Sequence, residues 1–163
     1  MGTLLQANLS FGVALDAEQI ESLPWDYEES GERSKSFEDW LKDLAGVVDP
    51  IPYEIGHGYE LKALDDWVAK NTEAYEQYRA AEEKAEEECP IRIVPVYYEG
   101  EDGDSGCIIA VKSSVQAARW QSGSNPREAN FAVSDEDVEA ARSFCAAHNL
   151  PFDEPKWLIS VYR

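Results

Sequence analysis

Ile91-Arg92-Ile93-Val94-Pro95-Val96-Tyr97-Tyr98 and Cys107-Ile108-Ile109-Ala110-Val111-Lys112-Ser113-Ser114-Val115, separated by Glu99-Gly100-Glu101-Asp102-Gly103-Asp104-Ser105-Gly106, decide the fold. Both flanks are runs of strand length rich in Ile and Val, and the segment between them is turn chemistry throughout, so the stretch predicts a β-hairpin. Its two members are not equivalent. Proline has no amide to donate to a ladder, so Pro95 places the first strand at a sheet edge, while the more apolar second strand belongs at the centre. Ala117 to Trp120 continue that second strand, and Gln121 to Asn130, with Gly123 and Pro126, read as a loop.

Working outward, residues 59–88 contain neither Gly nor Pro. Leu61, Leu64, Trp67 or Val68, Asn71, Tyr75, Tyr78 and Glu82 recur three or four apart, which predicts one long helix. Its stripe is apolar only as far as Tyr78, so the turns from Glu82 to Glu88 are expected to project beyond the core. On the other side of the hairpin, Ser134-Asp135-Glu136-Asp137 is a helix cap with acids at the positive end of the dipole. Val138, Ala141, Phe144, Cys145 and His148 follow on one face. Trp157 to Tyr162 form a final strand. At the start of the chain, Leu5, Ala7, Leu9, Phe11 and Val13 share one side of a period-two pattern over Leu4 to Leu15. Asp16 to Lys35 read as an acidic loop, Ser36-Phe37-Glu38-Asp39 caps a short helix ending near Gly46, and Asp49-Pro50-Ile51-Pro52 cannot continue it.

The resulting order predicts an α+β fold of the ferredoxin-like (βαββαβ) kind. Its four-stranded, mainly antiparallel sheet would have the first and third strands in the middle and the helices on one face. The expectation is a single domain over residues 1–163, in which residues 16–58 are an acidic insertion after strand one that carries the short helix.

The chain of 163 residues carries 33 Asp and Glu against 14 Lys and Arg, a formal charge of −19. That balance disfavours direct binding to nucleic acid or to an anionic membrane. With 44% hydrophobic and 11% aromatic residues the chain has the means to fold around a core. No apolar run approaches the roughly 20 residues of a membrane span, and Met1 to Gln6 lack the basic start of a secretion signal, so a soluble, cytoplasmic protein is expected. The charge is uneven: residues 1–60 hold 13 acids against 3 bases. A second acidic block, Glu82, Glu83, Glu86, Glu87 and Glu88, falls where the helix dipole is negative, at a cost of about 0.3–1 kcal/mol per acid. A globule of this length is about 40 Å across, a span in which B-DNA presents about 24 phosphates, comparable with the net charge here.

These features point to a non-enzymatic acidic protein that binds a basic partner, in the sharpest form a nucleic-acid mimic that inhibits a DNA- or RNA-binding protein, as viral and mobile-element inhibitors do. Trp25, Asp26, Tyr27, Glu28 and Glu29 form one expected contact patch, aromatic anchors set in steering charge, and Glu82, Glu83, Glu86, Glu87 and Glu88 the other. The bland alternative for Trp25 and Tyr27 is that they fold back over the core, and for the acids that they form a solvated face. Trp40, Trp67 and Trp157 read as packing, whereas Trp120 falls beside a loop.

No catalytic constellation and no cofactor motif emerges from the chain. Its dense glycines, Gly100, Gly103 and Gly106, lie among acids that repel phosphate. The competing function is a small metal-assisted hydrolase or ligand-binding domain, with Glu99, Glu101, Asp102 and Asp104 as oxygen ligands and His57 as a base, although an EF-hand spacing is lacking. Cys89, Cys107 and Cys145 fit neither a disulfide framework nor a zinc pattern and suggest a reducing compartment, with Cys107 and Cys145 as small buried hydrophobes.

Overall fold

A computed structural model describes residues 5–25, 35–52, 55, 61–97, 105–120 and 130–162. The hairpin forms as its sequence dictates. Strand β2 (Ile91–Tyr97) pairs antiparallel with β3 (Ser105–Val111), Val94 opposite Ile108 and Ile93 opposite Ile109. Cys107, Ile108, Ile109, Ala110 and Val111 are all buried, on both faces of β3, as befits an inner strand. Val94, Ile108 and Ala110 form a core on one face, against which Val96, Val115 and Leu158 pack.

β3 stops at Val111 because Lys112–Ser114 turn through a single 3₁₀ loop before β4 (Gln116–Trp120) resumes. The Ser114 hydroxyl donates to Val111 O at 2.7 Å and accepts from Phe11 N at 2.9 Å, replacing the ladder bonds that the turn interrupts. Strand β1 (Leu5–Ala14) is long enough to span both pieces, pairing Gly12–Ala14 with β3 and Leu5–Leu9 with β4. β5 (Lys156–Tyr162) also pairs with β1, antiparallel, along Gln6–Gly12. At Gly12 the backbone of β3 leaves no room for a side chain: a Cβ there would lie 2.7 Å from Ala110 Cα.

The molecule is thus mixed α+β around an antiparallel, curled sheet. The four-stranded sheet expected from the sequence requires correction. Among the described residues there are five strands, on the path β2-β3-β1-β4 with β5 joined to β1, because the expected third strand is broken in two. Among the described residues there are five α-helices. The unexpected one, α1 (Ala17–Glu21), lies at the start of the supposed acidic loop. Asp16 and Gln19 cap it reciprocally, a box legible in Asp16-Ala17-Glu18-Gln19.

The chain divides into two compact units, Met1–Glu32 with Cys89–Arg163, and Arg33–Glu88. The expected insertion, residues 16–58, begins in the first and ends in the second. The helix expected to follow strand one therefore belongs to the second unit, so the helix layer of a ferredoxin-like sandwich is not established. Within the second unit, α2 (Phe37–Leu44) has the reciprocal Ser36–Asp39 cap, and Gly46 beyond its end adopts a left-handed φ of 67°. Trp40 and Leu41 are buried, and the Phe37 and Trp40 rings lie 5.8 Å apart.

The single long helix also requires correction, since α3 (Leu61–Lys70) and α4 (Thr72–Glu88) are separated at Asn71. Asn71 Nδ2 and Thr72 Oγ1 bond back to the carbonyls of Trp67 and Val68, at 2.8 and 3.1 Å, and compete there with the helical ladder. α4 then continues without interruption to Glu88, with Ala85 buried, so its last turns are not a frayed projection. In the first unit, α5 (Asp135–Ala147) is capped by Ser134 and buries Ala141 and Cys145. It lies against β3, and Ser113 Oγ donates to Asp137 at 2.8 Å beside it.

Candidate functional site

The acids of α4 separate into two kinds. Glu82 is held on all sides: the Tyr78 hydroxyl donates to it at 2.8 Å, Lys42 of α2 reaches it at 3.2 Å, and Arg79 pairs with its second oxygen. Lys42 also reaches Asp39, at 3.0 Å, so this node joins α2 to α4. Burial by itself would raise the Glu82 carboxyl, but the Tyr78 and Lys42 donors outweigh it and hold the group below its ordinary range. Tyr78 is pushed up to about 12 by burial and by its bond to Glu82, while the carboxylates around Lys42 raise its ammonium against the opposing effect of burial.

Glu83, Glu86, Glu87 and Glu88 are exposed. Lys84 approaches Glu88 at 3.7 Å, an exposed pair of small energetic weight, and the last turn of α4 contains no basic residue. The helix carries these acids at its negative end and remains helical there. Four members of the expected second patch are therefore presented together on one element, and the fifth, Glu82, is engaged within the fold.

The first patch fares differently. Trp25 is 2% exposed, so its ring is packed inside, with Leu23 also buried nearby in the chain. Asp26, Tyr27, Glu28 and Glu29 lie outside the described residues, as do Glu99, Glu101, Asp102, Asp104 and His57. Among the described residues no group of three or more His, Cys, Asp or Glu side chains is placed to hold a metal ion. All three cysteines are unpaired and buried. Burial pushes the Cys107 thiol up to about 11, and burial together with nearby Cys89 pushes Cys145 up to about 12, the opposite of what a nucleophile needs. His148 caps the end of α5, and its ring lies tilted against Phe144 with centroids 4.6 Å apart.

Sequence reasoning missed the outer face of β5. Directly paired residues share a face of a sheet, so Trp157 with Phe11, Ile159 with Leu9 and Gln116, and Val161 with Ala7 form three successive rows. Phe11 and Trp157 rings lie 5.5 Å apart, and Phe131 meets Trp157 edge-on at 5.4 Å. The backbone of Asn130 is clamped to the Gln116 side chain by two bonds, of 2.5 and 2.9 Å, which fixes the segment leading to Phe131. Ile159 and Val161 are nevertheless 68% and 56% exposed and Phe131 60%, while Ser160, facing the other way, is buried. The available signal was Asn8, Ser10 and Gly12 alternating on β1: small and polar side chains that pair with the Ser160 side of β5.

Among the described residues no helix is long and apolar enough to cross a membrane. No protein-family model, curated protein or solved structure matches the chain.

Proposed function

We propose that this is a non-enzymatic acidic protein that docks onto a basic protein partner, and that the partner is a nucleic-acid-binding protein whose binding groove it occupies. The observation that carries this reading is the end of α4, where Glu83, Glu86, Glu87 and Glu88 stand exposed on a continuous helix with no base in its last turn. Local stability argues against acids there, and departures of this kind are expected where function overrides stability. A net charge of −19 steers such a surface toward a basic groove, and counterions released from the partner's cognate nucleic acid would be released here too.

The test is capture of proteins from lysate at low salt, with stepwise salt elution, beside an unrelated acidic domain of equal net charge. The reading expects one basic nucleic-acid-binding protein retained by this chain alone, and its loss in the Glu86→Lys, Glu87→Lys, Glu88→Lys variant with the circular dichroism unchanged. Retention of the same mixture by both baits overturns it. Within the fold, the antiparallel path β5-β1-β3-β2 supports an elaborated ferredoxin-like arrangement, which we propose as the finer description. An experimental structure in which β3 and β5 do not pair on either side of β1 overturns that description.

A further inference from the structure

Three polar side chains are buried on the face of β1 and β5 that also carries the apolar core. Asn8 pairs with Ser160 across the ladder and Ser10 with Leu158, so these four share one face, which Gly12, opposite Ala110, extends to β3. Leu158 packs against Val94, Ile108 and Ala110, and the sheet curls far enough to bring β2 into contact with β5, so this face is the inner one. Ser10 is fully buried and Ser160 is 5% exposed. Neither hydroxyl has a hydrogen-bond partner among the described residues, whereas the buried Ser114 hydroxyl donates to Val111 O and accepts from Phe11 N.

Lack of room alone does not explain two serines. Alanine meets the need for a small side chain on this face at position 110, and it does so without burying a hydroxyl. Taking a hydroxyl out of water is unfavourable unless a partner replaces the water it leaves. Serine at both positions is explained by a partner that the protein's own groups do not supply.

The register sets the size of that partner. Ser10 and Ser160 are diagonal neighbours on paired strands, a relation in which Cβ atoms lie about 7 Å apart. Two hydroxyls at that separation are too distant to bond each other directly, and a molecule with one heavy atom spans them with two bonds of about 2.8 Å. The side chains set its character. Asn8, Ser10 and Ser160 are uncharged and adjoin an apolar core, which suits a neutral molecule that both donates and accepts. Asn8 lies opposite Ser160 and two residues from Ser10 on β1, and supplies a third polar group, the number that a buried water ordinarily engages. We propose that Ser10 and Ser160 bind one water molecule inside the curled sheet, with Asn8 completing its shell, and that this water ties β5 to β1 on the inner face.

The test is a double-mutant cycle in the full chain, with Ser10→Ala, Ser160→Ala and both together, read as thermal midpoints. A shared water expects each single change to lower the midpoint by about 2–4 °C. The double change should lower it by clearly less than the sum, because either alanine removes most of the hold on the same molecule. A midpoint that rises or stays level in either single variant means that the hydroxyl has nothing to lose, and overturns the proposal. Additive losses give each serine a partner of its own, and overturn it as well. If an alanine variant fails to fold, a high-resolution crystal structure of the wild type decides. One density peak within about 2.6–3.2 Å of both hydroxyls is expected. Separate peaks on the two serines, or none, overturn the proposal.

Discussion

The two edges of the sheet are made from similar apolar residues and treated in opposite ways. β2 ends the sheet with Pro95 in its ladder and Arg92 exposed, so little can pair with it. β5 ends it with two exposed branched side chains, a half-buried tryptophan bridging Phe11 and Phe131, and a serine turned inward. One edge is marked by proline and charge, the other by branched side chains on its outer face, and the curl of the sheet brings β2 and β5 into contact. The acids of α4 repeat the contrast, Glu82 being engaged with Lys42, Arg79 and Tyr78 while Glu83, Glu86, Glu87 and Glu88 are presented to solvent. Composition alone does not separate these classes. What separates Glu82 from the other acids is its burial against Lys42 of α2.

The largest expected effect removes the support common to both edges. Gly12→Ala in β1 places a methyl against the backbone of Ile109 and Ala110, where no flexible side chain can yield, and should cost about 3 kcal/mol. Chemical denaturation followed by circular dichroism checks it. A loss below about 0.5 kcal/mol would mean that β1 and β3 do not approach as described.

Next is the engaged acid. Glu82→Gln leaves Lys42 half-buried with one carboxylate fewer and should destabilise by about 1–3 kcal/mol, whereas Glu83→Gln, at an exposed position, should change stability by no more than about 0.5 kcal/mol. The pH dependence sharpens this. The carboxyls of Glu82 and Asp39 are lower in the folded chain than in the unfolded one, so their contribution is complete above the ordinary carboxylate range and is lost as pH falls below it. Lys42, raised in the folded chain, contributes fully below the ordinary lysine range and loses its effect as pH rises beyond it. Melting curves between about pH 3 and pH 7 should fall more steeply for the wild type than for Glu82→Gln. Parallel curves would contradict the node.

Smaller again in stability is the outer face of β5. Ile159→Lys with Val161→Lys should leave the denaturation midpoint nearly unchanged, because both side chains are already in solvent. Comparably small is Pro95→Val, which restores a donor to β2 and should change stability by about 1 kcal/mol or less, read from the denaturation midpoint.

The hairpin was legible because its signals agree: branched residues, glycine-rich turn chemistry and a proline that marks the edge all point the same way. The caps at Ser36 and Ser134 were legible for the same reason. The break at Asn71 was not, because an amide that bonds back to Trp67 O looks, in a periodicity count, like one more polar position on a helix. The split of the third strand was hidden in Lys112-Ser113-Ser114, where Ser114 bonds to two strands at once, a fact of tertiary structure. Glu82 was indistinguishable from Glu83 in a charge run, since its partner Lys42 is 40 positions away. The face of β5 was hidden most deeply: Trp157, Ile159 and Val161 have the pattern of a core-facing set, and only the register with Asn8 and Ser10 places Ser160 inside in their stead. Trp25 illustrates the converse, a loop aromatic that reads as an anchor and is packed away.

The measurement that tests the central claim most directly is competition between this chain and duplex DNA or RNA for the captured basic partner, followed on immobilised partner as nucleic acid is added. Mutually exclusive occupancy is expected, with release of the chain as duplex binds and weaker competition from the Glu86→Lys, Glu87→Lys, Glu88→Lys variant. A ternary complex, in which the partner holds duplex and this chain together, would contradict it.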